Sequence, residues 1–299
     1  MTSRERARKI LNFEEADRPA IDLGATRMTG MSAWTYNSLK RALGIEGGVT
    51  RVFDLFQMIT EVEDSVLDAL DCDFAMVPDP QMSYGLTRND WKDFTFWDGQ
   101  TFQVPMDFHP RVTDDGSLLV GDGPGWSEPV ARMPHGGRYF DAINVANMTK
   151  DIEVPHLDEK DWDIPGPIEK DYLEQAYTRI RTQYESTDRE LVVTPPFSLS
   201  SGYGGMFPWG MKMALEADHC SAYMMAHAEA TANRARQYLR KVGQYVGVVV
   251  LSGADYGTQD REAFRPALFE ECMAPAWKVV CDAVHEFPGV KVWIHSCGS

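Results

Sequence analysis

Three apolar runs, LVVTPPF, VGVVVLSGADYG and VKVWIHSCG, constrain this chain more than anything else in it. Val, Ile and Leu follow one another there without alternating with polar residues, as in strands covered on both faces. Helical patterns separate the runs, over IEKDYLEQAYTRIRTQY and over about residues 211–242 and 266–287. Strands spaced by helices imply a parallel sheet with right-handed crossovers. Two shorter runs, residues 20–23 and DFAMVPD, read as strands of the same kind, so five βα units are expected.

The chain opens on a capping box, Thr2 to Glu5, with Ala7, Ile10 and Leu11 at helical spacing. SAWTYNSLKRALG reads as a helix closed by Gly44, and VTRVFDLFQM and EVEDSVLDAL as two more. About residues 80–165 differ. FTFWDGQTFQV alternates aromatics around Asp98-Gly99, and RVTDDGSLLVG repeats the device at Asp115-Gly116. Both are hairpin signals, so antiparallel hairpins inserted between α/β units are expected. Trp91, Phe94, Phe96, Trp97 and Phe102 read first as a small satellite core, and second as a lid or dimer surface.

With 299 residues, 43% of them hydrophobic, the chain can bury one large core or two ordinary ones. Its formal charge of −16 repels phosphate backbones and anionic lipid, so neither nucleic acid nor a membrane surface is an expected partner. No apolar run approaches the roughly 18 residues of a spanning helix, and the N-terminus has no signal core. Cys72, Cys220, Cys272, Cys281 and Cys297 are odd in number and scattered, which fits a reduced, cytoplasmic protein.

In a parallel α/β fold, ligands gather at the carboxyl ends of the strands. The polar residues follow that geography: Asp79 after DFAMV, Ser198, Ser200, Ser201 and Tyr203 after LVV, Asp255, Tyr256 and Gln259 after VVVLSG. His295 and Cys297 close the last run. Residues i and i+2 of a strand share a face, so imidazole and thiolate can aim at one point. Zinc takes both ligand types, usually three from the protein at a catalytic site. A buried histidine beside a small core thiol is the plainer alternative. The other four cysteines read as packing residues. SSGYGGMFPWG lacks the Lys-Ser/Thr ending of a phosphate loop, and its glycines read as room for a bulky ligand. Asp255 reads either as a catalytic carboxylate or as a helix cap.

Three segments, TSRERARKILNFEEADRPAIDLG, GADYGTQ and VKVWIHSCGS, resemble the uroporphyrinogen decarboxylase superfamily, and more closely its corrinoid-linked, zinc-dependent methyltransferase branch. The similarity runs through the chain apart from the hairpin insertion. The resemblance implies a (β/α)8 barrel of the TIM type, of which about five units are present. A fragment of a longer protein, a subunit that completes the site, and units hidden in residues 80–165 are the three explanations, the first being preferred. The decarboxylases carry an arginine-rich MRQAGR-type segment for porphyrin carboxylates. Here the matching stretch is IDLGATRMTG, with Arg27 alone, which argues against porphyrin decarboxylation.

The resemblance further implies zinc held by His295 and Cys297 with a later cysteine beyond Ser299. It implies methyl transfer to or from a corrinoid, the other reactant being a thiol, tetrahydrofolate, a methyl ether or a methylamine. No segment resembles a cobalamin-binding DxHxxG, so the corrinoid is expected on a separate partner protein. Asp255 is the expected catalytic carboxylate, and Asp79, Tyr203 and Gln259 the expected substrate contacts. A homodimer is the expected assembly. The rivals are a metal-free decarboxylase using Arg27, Arg51 and Arg88, and a non-catalytic binding barrel.

Overall fold

The computed structural model describes residues 1–143, 156–199, 202–203, 206–253 and 255–298. It is a mixed α/β chain of two compact units, Met1–Pro19 with Ile152–Ser299, and Ala20–Asp151. The intervening unit therefore starts well before residue 80, where the hairpin insertion was expected to begin.

Helix α1 (Ser3–Leu11) opens the first unit with the expected capping box. Thr2 Oγ1 accepts the Glu5 amide, and Glu5 Oε2 accepts the Thr2 amide at 2.9 Å. The helix buries Arg6 and Ala7 while Ile10 stays exposed, so arginine stems rather than the apolar stripe dock it. Arg4 donates to the carbonyls of Tyr184, Thr187 and Arg189. Arg8 pairs with Glu190, whose side chain is fully buried.

The intervening unit begins with α2 (Ala33–Ala42), past which Gly44 takes a φ of +68°, the expected C-terminal signal. VTRVFDLFQM is not a helix. It holds β1 (Val52–Asp54) and the turn into its antiparallel partner, β2 (Ile59–Thr60). Asp54 Oδ1 accepts the amides of Phe56 and Gln57, and Met58 adopts a φ of +55°. A short carboxylate that caps its own turn overrides helical spacing. Helix α3 (Asp64–Ala69) and strand β3 (Phe74–Met76) follow as expected. Residues 20–23 form no strand, although Ile21 exchanges two hydrogen bonds with Asp73.

Both hairpins are present. β4 (Trp91–Thr95) pairs with β5 (Thr101–Pro105) around Gly99 at φ +78°. β6 (Arg111–Val112), β7 (Leu118–Val120), β8 (Ala131–Met133) and β9 (Asp141–Ala142) form one antiparallel sheet, with Gly116 at φ +76° in its first turn. Trp34 anchors the core, edge-on to Phe96 at 5.2 Å and to Phe102 at 5.0 Å. Each such pair adds about 0.5–1.5 kcal/mol beyond its burial. Phe96 and Phe102 thus belong to the main core of this unit, with Val52, Met58, Phe108, Met133 and Phe140.

The remainder of the first unit holds the parallel sheet. After α4 (Lys170–Ser186), strands β10 (Glu190–Val193), β11 (Val248–Gly253) and β12 (Lys291–His295) lie side by side with β11 central. Every residue of β10 is buried, as the unbroken apolar run required. Two helices fill each crossover where one was expected. α5 (Met206–Leu215) and α6 (Ala217–Val242) break at Glu216, whose φ of −139° is non-helical. α7 (Pro266–Cys272) and α8 (Ala274–His285) break ahead of Pro275, which donates no backbone hydrogen bond. Among the described residues no helix is long and apolar enough to cross a membrane.

Candidate metal centre

The register of the two parallel strands builds the centre. β11 and β12 align Gly253 with His295. Two residues further along both chains, Asp255 therefore comes opposite Cys297. His295 Nε2 lies 3.0 Å from Cys297 Sγ and 3.3 Å from Asp255 Oδ1. The same Asp255 oxygen accepts the Cys297 amide at 3.1 Å. Trp293, two residues back on the same strand, stacks on the His295 ring at an interplanar angle of 12°.

Backbone contacts hold the two loops together. Gly257 N–H donates to the Cys297 carbonyl at 3.3 Å, and Tyr256 N–H to Ser296 Oγ at 3.4 Å. Gly298 sits at φ +99°, and a Cβ there would come within 2.3 Å of the Gly257 carbonyl carbon. Only glycine meets both demands.

The donor types suit zinc. A tetrahedral ion at ordinary Zn–N, Zn–O and Zn–S lengths spaces its ligand atoms about 3.3–3.6 Å apart; the His295–Asp255 pair already stands at that spacing, and the His295–Cys297 pair opens by about 0.5 Å to reach it. The His295 side chain is 26% exposed and that of Asp255 53%, so the centre opens to solvent. The four other cysteines sit elsewhere. Burial pushes the Cys220 thiol up to about 12 and raises Cys272 and Cys281 as well, while Cys72 is buried. Thiolate chemistry is therefore disfavoured at those positions.

Of the expected site residues, the structure brings Asp255, His295 and Cys297 together, with the carboxylate as a third donor. The sequence expects Asp255 as a catalytic carboxylate and a later cysteine as a zinc ligand; the structure adds the Asp255 carboxylate to the possible donors. The signal was available in strand register, since both residues follow adjacent parallel strands. Gln259 is exposed, four residues further along the Asp255 loop. Tyr203 joins a different group, its hydroxyl 3.1 Å from His219 Nε2 and its ring against Trp209 and Tyr223. Asp79 lies in the intervening unit, where it accepts the Gln81 amide at 3.0 Å. The Ser198 carbonyl accepts from Thr231 Oγ1, and Ser200 and Ser201 lie outside the described residues.

The three arginines considered for a decarboxylase already have partners within the intervening unit. Arg27 faces Asp54 at 3.3 Å, Arg88 pairs with Glu61, and Arg51 donates to Gln103 and stacks on Trp91.

The class of site is thus a solvent-open His/Cys/Asp centre at the carboxyl end of a parallel sheet. No family model, curated protein or solved structure matches the chain.

Proposed function

We propose that the chain is a zinc-dependent methyltransferase that moves a methyl group between a small molecule and a corrinoid carried by a separate protein. The observation that carries this reading is the convergence of Asp255, His295 and Cys297 at the strand ends. Resemblance to the methyltransferase branch supplies the reaction class. The accompanying fold reading is a (β/α)8 barrel present in part, supported by three parallel strands joined through helices.

His295, Cys297 and Asp255 would hold the ion. Zinc bound there supplies Lewis acidity, which keeps a thiol acceptor ionised at neutral pH or polarises an ether or amine. The chain's own residues prepare the place. Trp293 fixes the plane of the His295 ring. Asp255 positions Cys297 through its amide, and Gly257 and Gly298 let the two loops close on each other. Exposure of Asp255 and Cys297 leaves the rim accessible to a small substrate and to a docking protein.

The test is Cys297→Ser in the full chain. The folded variant is expected to lose one equivalent of zinc and its demethylation of methylcobalamin with a thiol acceptor. Undiminished zinc content would end the reading.

A further inference from the structure

A second set of donors stands in the same unit and shares no residue with the first. Glu216 occupies the break between α5 and α6, and His219 lies in the first turn of α6. Their i, i+3 spacing puts carboxylate and imidazole on one side of the helix start, as in the Glu-x-x-His pairs of di-metal helical proteins. His156 arrives from a distant part of the chain. Its Nδ1 is 2.7 Å from Glu216 Oε2, and its ring lies 4.5 Å from that of His219 at an angle of 35°. Ligand atoms of all three residues fall within 4.8 Å of one another.

The surroundings are those a metal ligand set needs. Lys212, only 1% exposed, holds Glu216 Oε1 at 3.0 Å and leaves Oε2 facing the histidines. Tyr203 hydrogen bonds His219 and fixes its ring. Outer partners of this kind orient ligands and set their basicity. Trp162 packs edge-on to both His219 and Tyr223 and walls one side with apolar surface. A hydrogen-bonded polar cluster would explain the Lys212–Glu216–His156 chain. It gives no reason for a second imidazole packed against the first with its own outer partner.

We propose that His156, Glu216 and His219 form a second divalent-cation site, of the two-histidine, one-carboxylate type that takes zinc or cobalt and leaves a position open to water. The Glu216–His156 pair opens by about 0.6 Å to reach tetrahedral ligand spacing, a shift that an exposed His156 side chain accommodates.

The inference goes beyond the methyltransferase reading and is tested apart from it. The full chain, stripped with a chelator, is titrated with Co²⁺ alone while visible absorption is followed. Two equivalents are expected to bind, one with a sulfur-to-cobalt charge-transfer band and one without. Cys297→Ser removes the banded equivalent and keeps the other. His219→Ala and Glu216→Gln each weaken the sulfur-free equivalent by more than about tenfold and keep the band. The proposal is overturned if Cys297→Ser binds no cobalt, or if folded His219→Ala and Glu216→Gln proteins bind both equivalents as tightly as the parent. Should both of those variants fail to fold, the Cys297→Ser titration decides alone. Loss of the sulfur band in the parent would sink the first centre and leave this one standing.

Discussion

Replacing Gly298 by alanine tests how the first centre is held. Two penalties are separable. Alanine at φ +99° carries a backbone strain of about 1–2 kcal/mol. The added methyl would also sit 2.3 Å from the Gly257 carbonyl carbon, about 1 Å inside ordinary contact with atoms that are backbone and cannot rotate away. Relief requires the Cys297–Gly298 segment and the Asp255–Gly257 loop to part, which breaks the Gly257-to-Cys297 hydrogen bond and draws Asp255 away from Cys297. A ligand moved that far costs about 2–3 kcal/mol of metal affinity, or roughly 30- to 150-fold. Gly289 supplies the control. It has φ +87°, but a Cβ there would meet nothing within 4 Å. Gly289→Ala should therefore lower stability by about 1 kcal/mol and leave affinity unchanged. Zinc affinity is read by competition with a chromophoric chelator, and stability by urea unfolding. If Gly298→Ala binds zinc within about twofold of Gly289→Ala, the contact does not hold the centre and the reasoning fails.

Two predictions concern the anchoring of α1. Arg8→Met strands the buried Glu190 carboxylate. It should cost about 2 kcal/mol in urea unfolding, less than a fully buried pair because Arg8 is 42% exposed, and Arg8→Met/Glu190→Met should recover more than half. Equal destabilisation in single and double variants would refute the pairing argument. Asp17 is one acid-sensitive group. Its hydrogen bond from Arg6 leads the causes that lower its carboxyl from 3.8 to about 2. The bond thus stabilises the fold above about pH 4 and is lost as pH falls towards 2, so Asp17→Asn should flatten stability across that window. Parallel acid profiles for parent and variant would assign the acid limb to other carboxylates.

Much of this architecture is legible in the sequence where backbone chemistry is local. Asp98-Gly99 and Asp115-Gly116 announce their hairpins because positive φ is required there. The valine-rich runs announce buried parallel strands, and the Thr2/Glu5 box fixes the start of α1. The failures have physical causes too. VTRVFDLFQM has helical spacing, but Asp54 caps a turn inside it. The helical pattern over about residues 211–242 hides a break because Glu216 is a good helix former, turned out of the helix beside His156 and Lys212. Asp255 became legible as a donor only with strand register, a relation between segments some forty residues apart. The His156 cluster escapes because His156 is distant in sequence from its other two members, although Glu216-Ala-Asp-His219 carries both of those.

The first unit is assembled from the two sides of an intervening one, and this bears on its synthesis. Arg8 meets Glu190 across 182 residues of chain. At about 5–20 residues per second a ribosome takes roughly ten to forty seconds to make that stretch. Throughout that interval α1 has no strand to dock on, while residues 20–143 can already close around Trp34. Maturation should therefore proceed from the middle outwards, with α1 settling only after β10 has emerged. Its cationic face would meanwhile be open to chaperones.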